Sequence, residues 1–319
     1  LLLINDKDQT YAKLRFDERS IATMKTHLGK LDDSLARGLI WASLWDSCRD
    51  GELATSDYIT IALNALKTEN DISIVTATYL QFETAIWAYA NPAKRDAIRA
   101  QVADATAAML AAAAPGSDHQ MQFARAFANN AITPAHFEKL KAILNGSESG
   151  LVIDAEIRWY LFICGVKRGI FGPADIEAES AKDNTAHGKQ YTAYSYAAIP
   201  TQEAKAKAFT SITQDNLSNT IHAYMCRGFN ENIHHELLAG FVDHYFDAIL
   251  KVWETKGFEI AETTATLVFP SWVISDETVK KAQHWLDVTG KDASHALRRS
   301  VTEGRDAMQR ALKARAADK

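Results

Sequence analysis

The stretch Val152–Gly169, "VIDAEIRWYLFICGVKRG", decides the fold class. Its apolar run is too long for an ordinary strand and carries charges at both ends. It stops at Gly169, and glycine is the residue that most easily takes the left-handed C′ position after a helix. The same punctuation repeats on both sides. Upstream, Thr133-Pro134 reads as a cap followed by a first-turn proline, and Asn145-Gly146 as a stop. Downstream, Pro173 opens "ADIEAESAKD", "NTAHGKQYTAYSYAAI" ends before Pro200, and Thr201 starts the next segment.

Towards the N-terminus the pattern is unchanged. "DDSLARGLIWASLWDSCRD" places Leu35, Leu39, Ala42 and Trp45 at helical spacing, with Asp32-Asp33 as caps and Asp50-Gly51 as a stop. Ser56 is placed to cap a helix that runs to about Leu66. Asn91-Pro92 opens a long alanine-rich helix that runs to Pro115-Gly116. Continued to the end, this gives roughly fifteen helices with short connections. Short links make antiparallel neighbours, and repeated pairs at roughly 35–45-residue spacing predict an irregular α-solenoid of the armadillo/HEAT kind. The loop "NGSESG" at 145–150 is the expected site of a mild bend between two subarrays.

Residues 1–16 differ. "LLLIND" is a short apolar run, "TYAKLRF" alternates, and "NDKD" between them has turn composition. The expectation is a β-hairpin at 1–16 that completes a sheet lying upstream, since an isolated hairpin is marginal in water. Residues 1–19 are then the end of a preceding β domain and its connection, and 20–319 a helical domain.

Composition narrows the function classes. The chain has 319 residues, 47% of them hydrophobic, which suffices for a large core. Net charge is −5, from 35 basic and 40 acidic residues, with no basic block, which argues against nucleic acid as a partner. No apolar run approaches the roughly 20 residues that span a bilayer, which argues against a membrane segment. Cys48, Cys164 and Cys226 are far apart and odd in number, as expected of buried reduced thiols in a cytoplasmic protein.

Familiar site chemistry does not assemble. "NIHHELLAGFVDHYF", Asn232–Phe246, looks metal-binding, but Ala239 stands four residues after His235 where His-Glu-x-x-His needs histidine. Ile233, Leu237, Leu238, Phe241, Tyr245 and Ile249 form a helical core stripe, so the histidines are expected on the helix surface. "DNTAHGKQ" fails as a phosphate loop, because Asp183 replaces the first glycine and Gln190 the hydroxyl residue. Catalytic and metal-binding residues are therefore assigned to none. Arg37 and Arg158 stand in apolar helical faces and need carboxylate partners if buried. One reading is an internal ion pair, Arg158 with Asp154 for example; the other is contact with a peptide carboxylate.

The ordered set of segments resembles a known family. "LLLINDKDQTYAKLRFDERS" and "SLARGLIWASLWDSCRDGEL" are similar to the passage from the β-sandwich into the helical domain of zinc aminopeptidases of the aminopeptidase N family. Arg158-Trp159, Asp183-x-Thr185-Ala186-x-Gly188 and Pro200-x-x-x-x-Lys205 carry the most specific part. "YFDAILKVWE" and "LRRSVTEGRDAMQRALKAR" look most like the actinobacterial branch. The resemblance implies a non-catalytic C-terminal domain of a peptidase. Its zinc belongs to the parent enzyme, with no cofactor in this chain. The implied partners are the upstream catalytic and β-sandwich domains of the same polypeptide, and peptide substrates. In that family the helical domain closes over the active-site cavity and controls peptide access. The alternative is an independent α-solenoid scaffold that binds a protein or peptide on its concave face.

Overall fold

The computed structural model describes all of residues 1–319. It contains helices, as the punctuation of the sequence predicts, and no strand. Two compact units divide the chain: Leu1–Ile153 with Arg310–Lys319, and Asp154–Gln309. The break falls a few residues after the "NGSESG" loop.

The first unit holds α1 (Glu18–His27), α2 (Ser34–Arg49), α3 (Thr55–Leu66) and α4 (Ile72–Thr84), which runs on into a π-helical turn, Ala85–Tyr89. It continues with α5 (Arg95–Ala112), α6 (Asp118–Asn130) and α7 (Pro134–Leu144). Helix α2 starts at Asp33, whose carboxylate accepts the Leu35 and Ala36 amides. Its core face is Ala36, Ile40, Trp41, Leu44 and Cys48. That face is turned from the expected stripe: Leu35 and Ala42 are exposed. Leucine and alanine occur around the whole of α2, so periodicity alone did not fix its face. Helix α7 keeps its predicted ends, with a capping box between Thr133 and His136 and a turn at Gly146, φ 83°.

The expected hairpin at 1–16 is absent. Asn5 closes a tight turn, its amide donating to the Thr10 carbonyl at 2.7 Å and its side-chain oxygen accepting from the Thr10 amide at 3.0 Å. Asp6–Asp8 form one 3₁₀ turn, and residues 11–16 carry no regular element. The turn chemistry was read correctly, but a strand exists only where a second segment supplies ladder partners. The alternation serves another purpose. Leu14 is buried, while Lys13 and Arg15 reach Asp50 and Glu52 at the end of α2.

The second unit holds α8 (Ala155–Val166), α9 (Pro173–Ser180), α10 (Ala186–Ala197), α11 (Gln202–Gln214) and α12 (Asn219–Phe229). Then come α13 (His235–Leu238), α14 (Val242–Thr255), α15 (Phe258–Leu267), α16 (Asp276–Asp287) and α17 (His295–Ala317), whose last residues count with the first unit. Ile212, Cys226, Phe241, Tyr245, Ile249, Phe269, Trp285 and Val301 belong to one core cluster. Helix α10 packs most closely on α12. Gly228 explains how: a Cβ there would lie 2.2 Å from the Tyr194 carbonyl oxygen, so only glycine lets the two backbones cross this closely.

Asn232–Phe246 is not one helix. It is a 3₁₀ turn at Asn232–His234, the short α13, a second 3₁₀ turn at Ala239–Phe241, and then α14. Each change of pitch shifts the facing residue. Leu238, Phe241, Tyr245 and Ile249 are buried as expected, but so is His234, which was expected on the surface.

Candidate functional site

Both arginines singled out in the sequence are held by carboxylates of their own unit. Arg37 is buried on α2. Its Nε lies 2.9 Å from Glu69 Oε2 and its Nη2 2.8 Å from Glu69 Oε1, a two-pronged pairing. The remaining donors reach the Leu31 and Asp32 carbonyls at 2.7 and 3.0 Å and Asn70 Oδ1 at 2.8 Å. Burial pushes the Glu69 carboxyl up, but the Arg37 hydrogen bonds and charge, the Asp71 amide and the Trp41 indole together outweigh it and hold the acid below its ordinary value.

Glu69 also borders a groove of about 1140 Å³ along one face of α5, lined by Ala100, Asp104, Ala108, Met109 and Phe123. His119 lines it too, with Nε2 3.1 Å from the Glu69 carbonyl oxygen. Arg37 lies behind this wall, with a side-chain exposure of 7%.

Arg158 pairs with Glu179 of α9 through Nε and, at 2.8 Å, through Nη2. Asp154, the partner suggested by helical spacing, is committed elsewhere: it caps α8 and accepts the Ile157 amide at 2.9 Å. Glu179 also takes Lys182 at 2.9 Å. The adjoining Trp159 donates its indole N–H to Asp183 at 2.9 Å, and Asp183 accepts the Thr185 hydroxyl at 2.6 Å. Gly188 follows because a Cβ there would fall 2.0 Å from the Asp183 carbonyl. The Arg-Trp and Asp-x-Thr-Ala-x-Gly elements are thus one structural knot joining α8, α9 and the start of α10. The Arg158 side chain retains 30% exposure.

A buried polar hub lies between α8, α10, α11 and α12, and its chemistry was not legible from spacing. Lys167 donates to Glu231 at 3.1 Å, the Tyr194 hydroxyl also donates to Glu231, and His234 Nε2 donates to the Lys167 carbonyl at 2.8 Å. Burial pushes the His234 imidazole down to about 3, so it is neutral, and its buried Nδ1 has no partner. Lys205 lies in the same hub with its side chain fully buried. Burial pushes its ammonium down to about 7, against the pull of the Glu231 charge. The only signal in the sequence was Lys205 closing the Pro-x-x-x-x-Lys element.

The histidines and cysteines form no reactive pair. Cys226 Sγ lies 3.7 Å from the His222 ring, one helical turn away. Burial raises the thiol and lowers the imidazole, the opposite of the thiolate–imidazolium state a nucleophile needs. All three cysteines are buried, and none is in a disulfide. His244 is exposed against the Phe241 ring. No group of three or more His, Cys, Asp or Glu side chains is placed to hold a metal ion, and zinc therefore has no fitting ligand set here. No helix is long and apolar enough to cross a membrane.

Aminopeptidase N of Streptomyces lividans is 41% identical over 321 residues, an alignment that covers all of this chain and 37% of that protein. The chain thus spans well under half the length of this curated relative. The profile of the ERAP1-like C-terminal domain family matches residues 1–310. The chain therefore belongs to the ERAP1-like C-terminal domain family.

Proposed function

We propose that this chain is the non-catalytic helical part of a longer zinc-dependent aminopeptidase, in which it encloses the active-site cavity and controls peptide access. The observation that carries the reading is the 41% identity to an aminopeptidase N along the whole chain, which is only 37% of that relative. Zinc, general base and substrate-amine contacts then belong to upstream parts of the same polypeptide. Residues 1–19 are the connection from a preceding domain, and 20–319 the helical domain, built as an irregular array of helix pairs. Three buried thiols, none in a disulfide, support a cytoplasmic setting.

Within this reading Arg37 and Arg158 separate. Arg37 is saturated by Glu69, Asn70 and two carbonyls, which supports a structural ion pair. Arg158 retains exposure and is the better candidate for contact with a peptide carboxylate. The test is kinetic and uses the longer enzyme, comparing peptides with single-residue aminoacyl amides. A cavity wall acts on the former and barely on the latter, whereas loss of a purely structural element affects both alike.

A further inference from the structure

Lys205 Nζ donates to three main-chain carbonyls: Ala197 at 2.8 Å, Gly228 at 2.9 Å and Phe229 at 2.8 Å. An ammonium has three N–H donors and no acceptor, so these three oxygens saturate it. No carboxylate bonds it. Glu231 acts on it only through space and is itself taken by Lys167 and Tyr194. The other charged or titratable group of the hub is His234, which faces Lys167.

The position of the acceptors is informative. Ala197 is the last residue of α10, and Gly228 and Phe229 are the last two of α12. The final carbonyls of a helix lack intrahelical partners, and that end carries about half a unit of negative charge. Two helix ends therefore converge on one cation. The approach depends on the backbone crossing of Gly228 with Tyr194, where no Cβ fits. The Phe229 ring adds a further cation-attracting face, 5.7 Å from Nζ.

We propose that this carbonyl cage is a binding site for a primary ammonium ion, which Lys205 fills as a tethered ligand. With the side chain cut back to Cβ, the cage takes a free primary alkylammonium in its place. Three inward oxygens with no carboxylate favour a group that offers three N–H donors over a quaternary ammonium, which offers none. The ligand holds the ends of α10 and α12 on α11. Without it, three buried carbonyls lose their donor together.

The test uses Lys205→Ala and Lys205→Met in the whole chain at pH 6, where the added amines are protonated. Hydrogen exchange is followed at the ends of α10 and α12, with α16 as an internal control. Lys205→Ala should lose protection at both ends by about tenfold or more, the size expected from one lost bond to a charged donor. n-Propylammonium replaces the deleted atoms and should restore it saturably, while tetramethylammonium and potassium at equal ionic strength do not. Lys205→Met fills the channel without a donor and should lose protection without rescue. Equal rescue by tetramethylammonium or potassium would overturn the proposal. So would a Lys205→Met chain with the protection of the parent, an arm that decides the matter even where Lys205→Ala does not fold.

Discussion

The carboxylate of Asp318 caps helix α3 at Ser56, 262 residues away in sequence. Oδ1 accepts the Ser56 amide at 3.0 Å and its hydroxyl at 2.6 Å, and Oδ2 accepts the Asn91 amide at 2.9 Å. Helix α3 has no local side-chain cap, because Ala54 holds that position. The C-terminal segment is thus built into the first unit. Arg315 adds to this by donating to the Trp87 and Ala88 carbonyls at 3.0 and 2.9 Å. At Gly51, φ 69°, an added Cβ would meet the Lys313 carbonyl at 3.1 Å.

Asp318→Ala should therefore destabilise the first unit by about 1–2 kcal/mol, the cost of losing a helix cap and leaving half-buried donors without their acceptor. Urea unfolding followed by helix signal measures it. A neutral result, with α3 amides exchanging as before, would show that water replaces the carboxylate.

The Arg37–Glu69 pair is a buried ion pair of the first unit, with side-chain exposures of 7% and 2%. Removing one member leaves the other charge buried. Arg37→Met or Glu69→Gln alone should then cost about 3–5 kcal/mol, and the double variant less than the sum of the two. A double-mutant cycle reads this directly, and additive losses would show that the two side chains are not coupled.

Acid should act in two steps. Burial depresses the His234 imidazole to about 3 from an ordinary value of 6.5, so the unfolded chain binds its proton first. Stability then falls as pH drops below about 6.5, by at most about 1.4 kcal/mol per pH unit for one proton. Burial raises the Glu69, Glu179 and Glu231 carboxyls, but their cationic partners and hydrogen-bond donors together outweigh it and hold all three below 4.5. Their contribution is present above that value and lost as pH falls through it. Melting temperature against pH should bend at both points. His234→Gln should flatten part of the upper bend, the His222 imidazole that burial also lowers keeping the rest, and Glu69→Gln part of the lower one; unchanged profiles would contradict the assignment.

Arg158→Met in the longer enzyme should raise KM for peptides while sparing uncharged aminoacyl amides, if its exposed edge meets a peptide carboxylate. Such a contact is worth about 1.5–3 kcal/mol, or roughly ten- to a hundredfold in KM. Equal effects on both substrate classes would assign Arg158 to the knot with Glu179 alone.

Local chemistry was the legible part of this molecule. Thr133, Asn145-Gly146, Gly169 and Thr201 mark helix ends through bonds closed within a few residues, and all four stand where the sequence puts them. Ser56 was misread as a cap because the capping oxygen comes from Asp318. Arg158 was matched with Asp154 because spacing shows proximity but not prior commitment, and Asp154 was already capping α8. His234 was put on the surface because one helical period was extended across two 3₁₀ turns. The hairpin at 1–16 was drawn from alternation, which describes two faces but supplies no partner strand. The Lys205 cage was out of reach for a related reason: its acceptors are backbone atoms, which leave no mark on residue identity.

The account's central claim is that this helical chain shapes peptide access to an active site carried by another part of the polypeptide. The most direct measurement is a titration of the separately produced upstream catalytic part with this chain, following turnover of a peptide and of a small aminoacyl amide. The account predicts association together with a rise in peptide turnover that exceeds any rise for the amide. Tight association with peptide turnover unchanged would contradict it and leave the chain a scaffold.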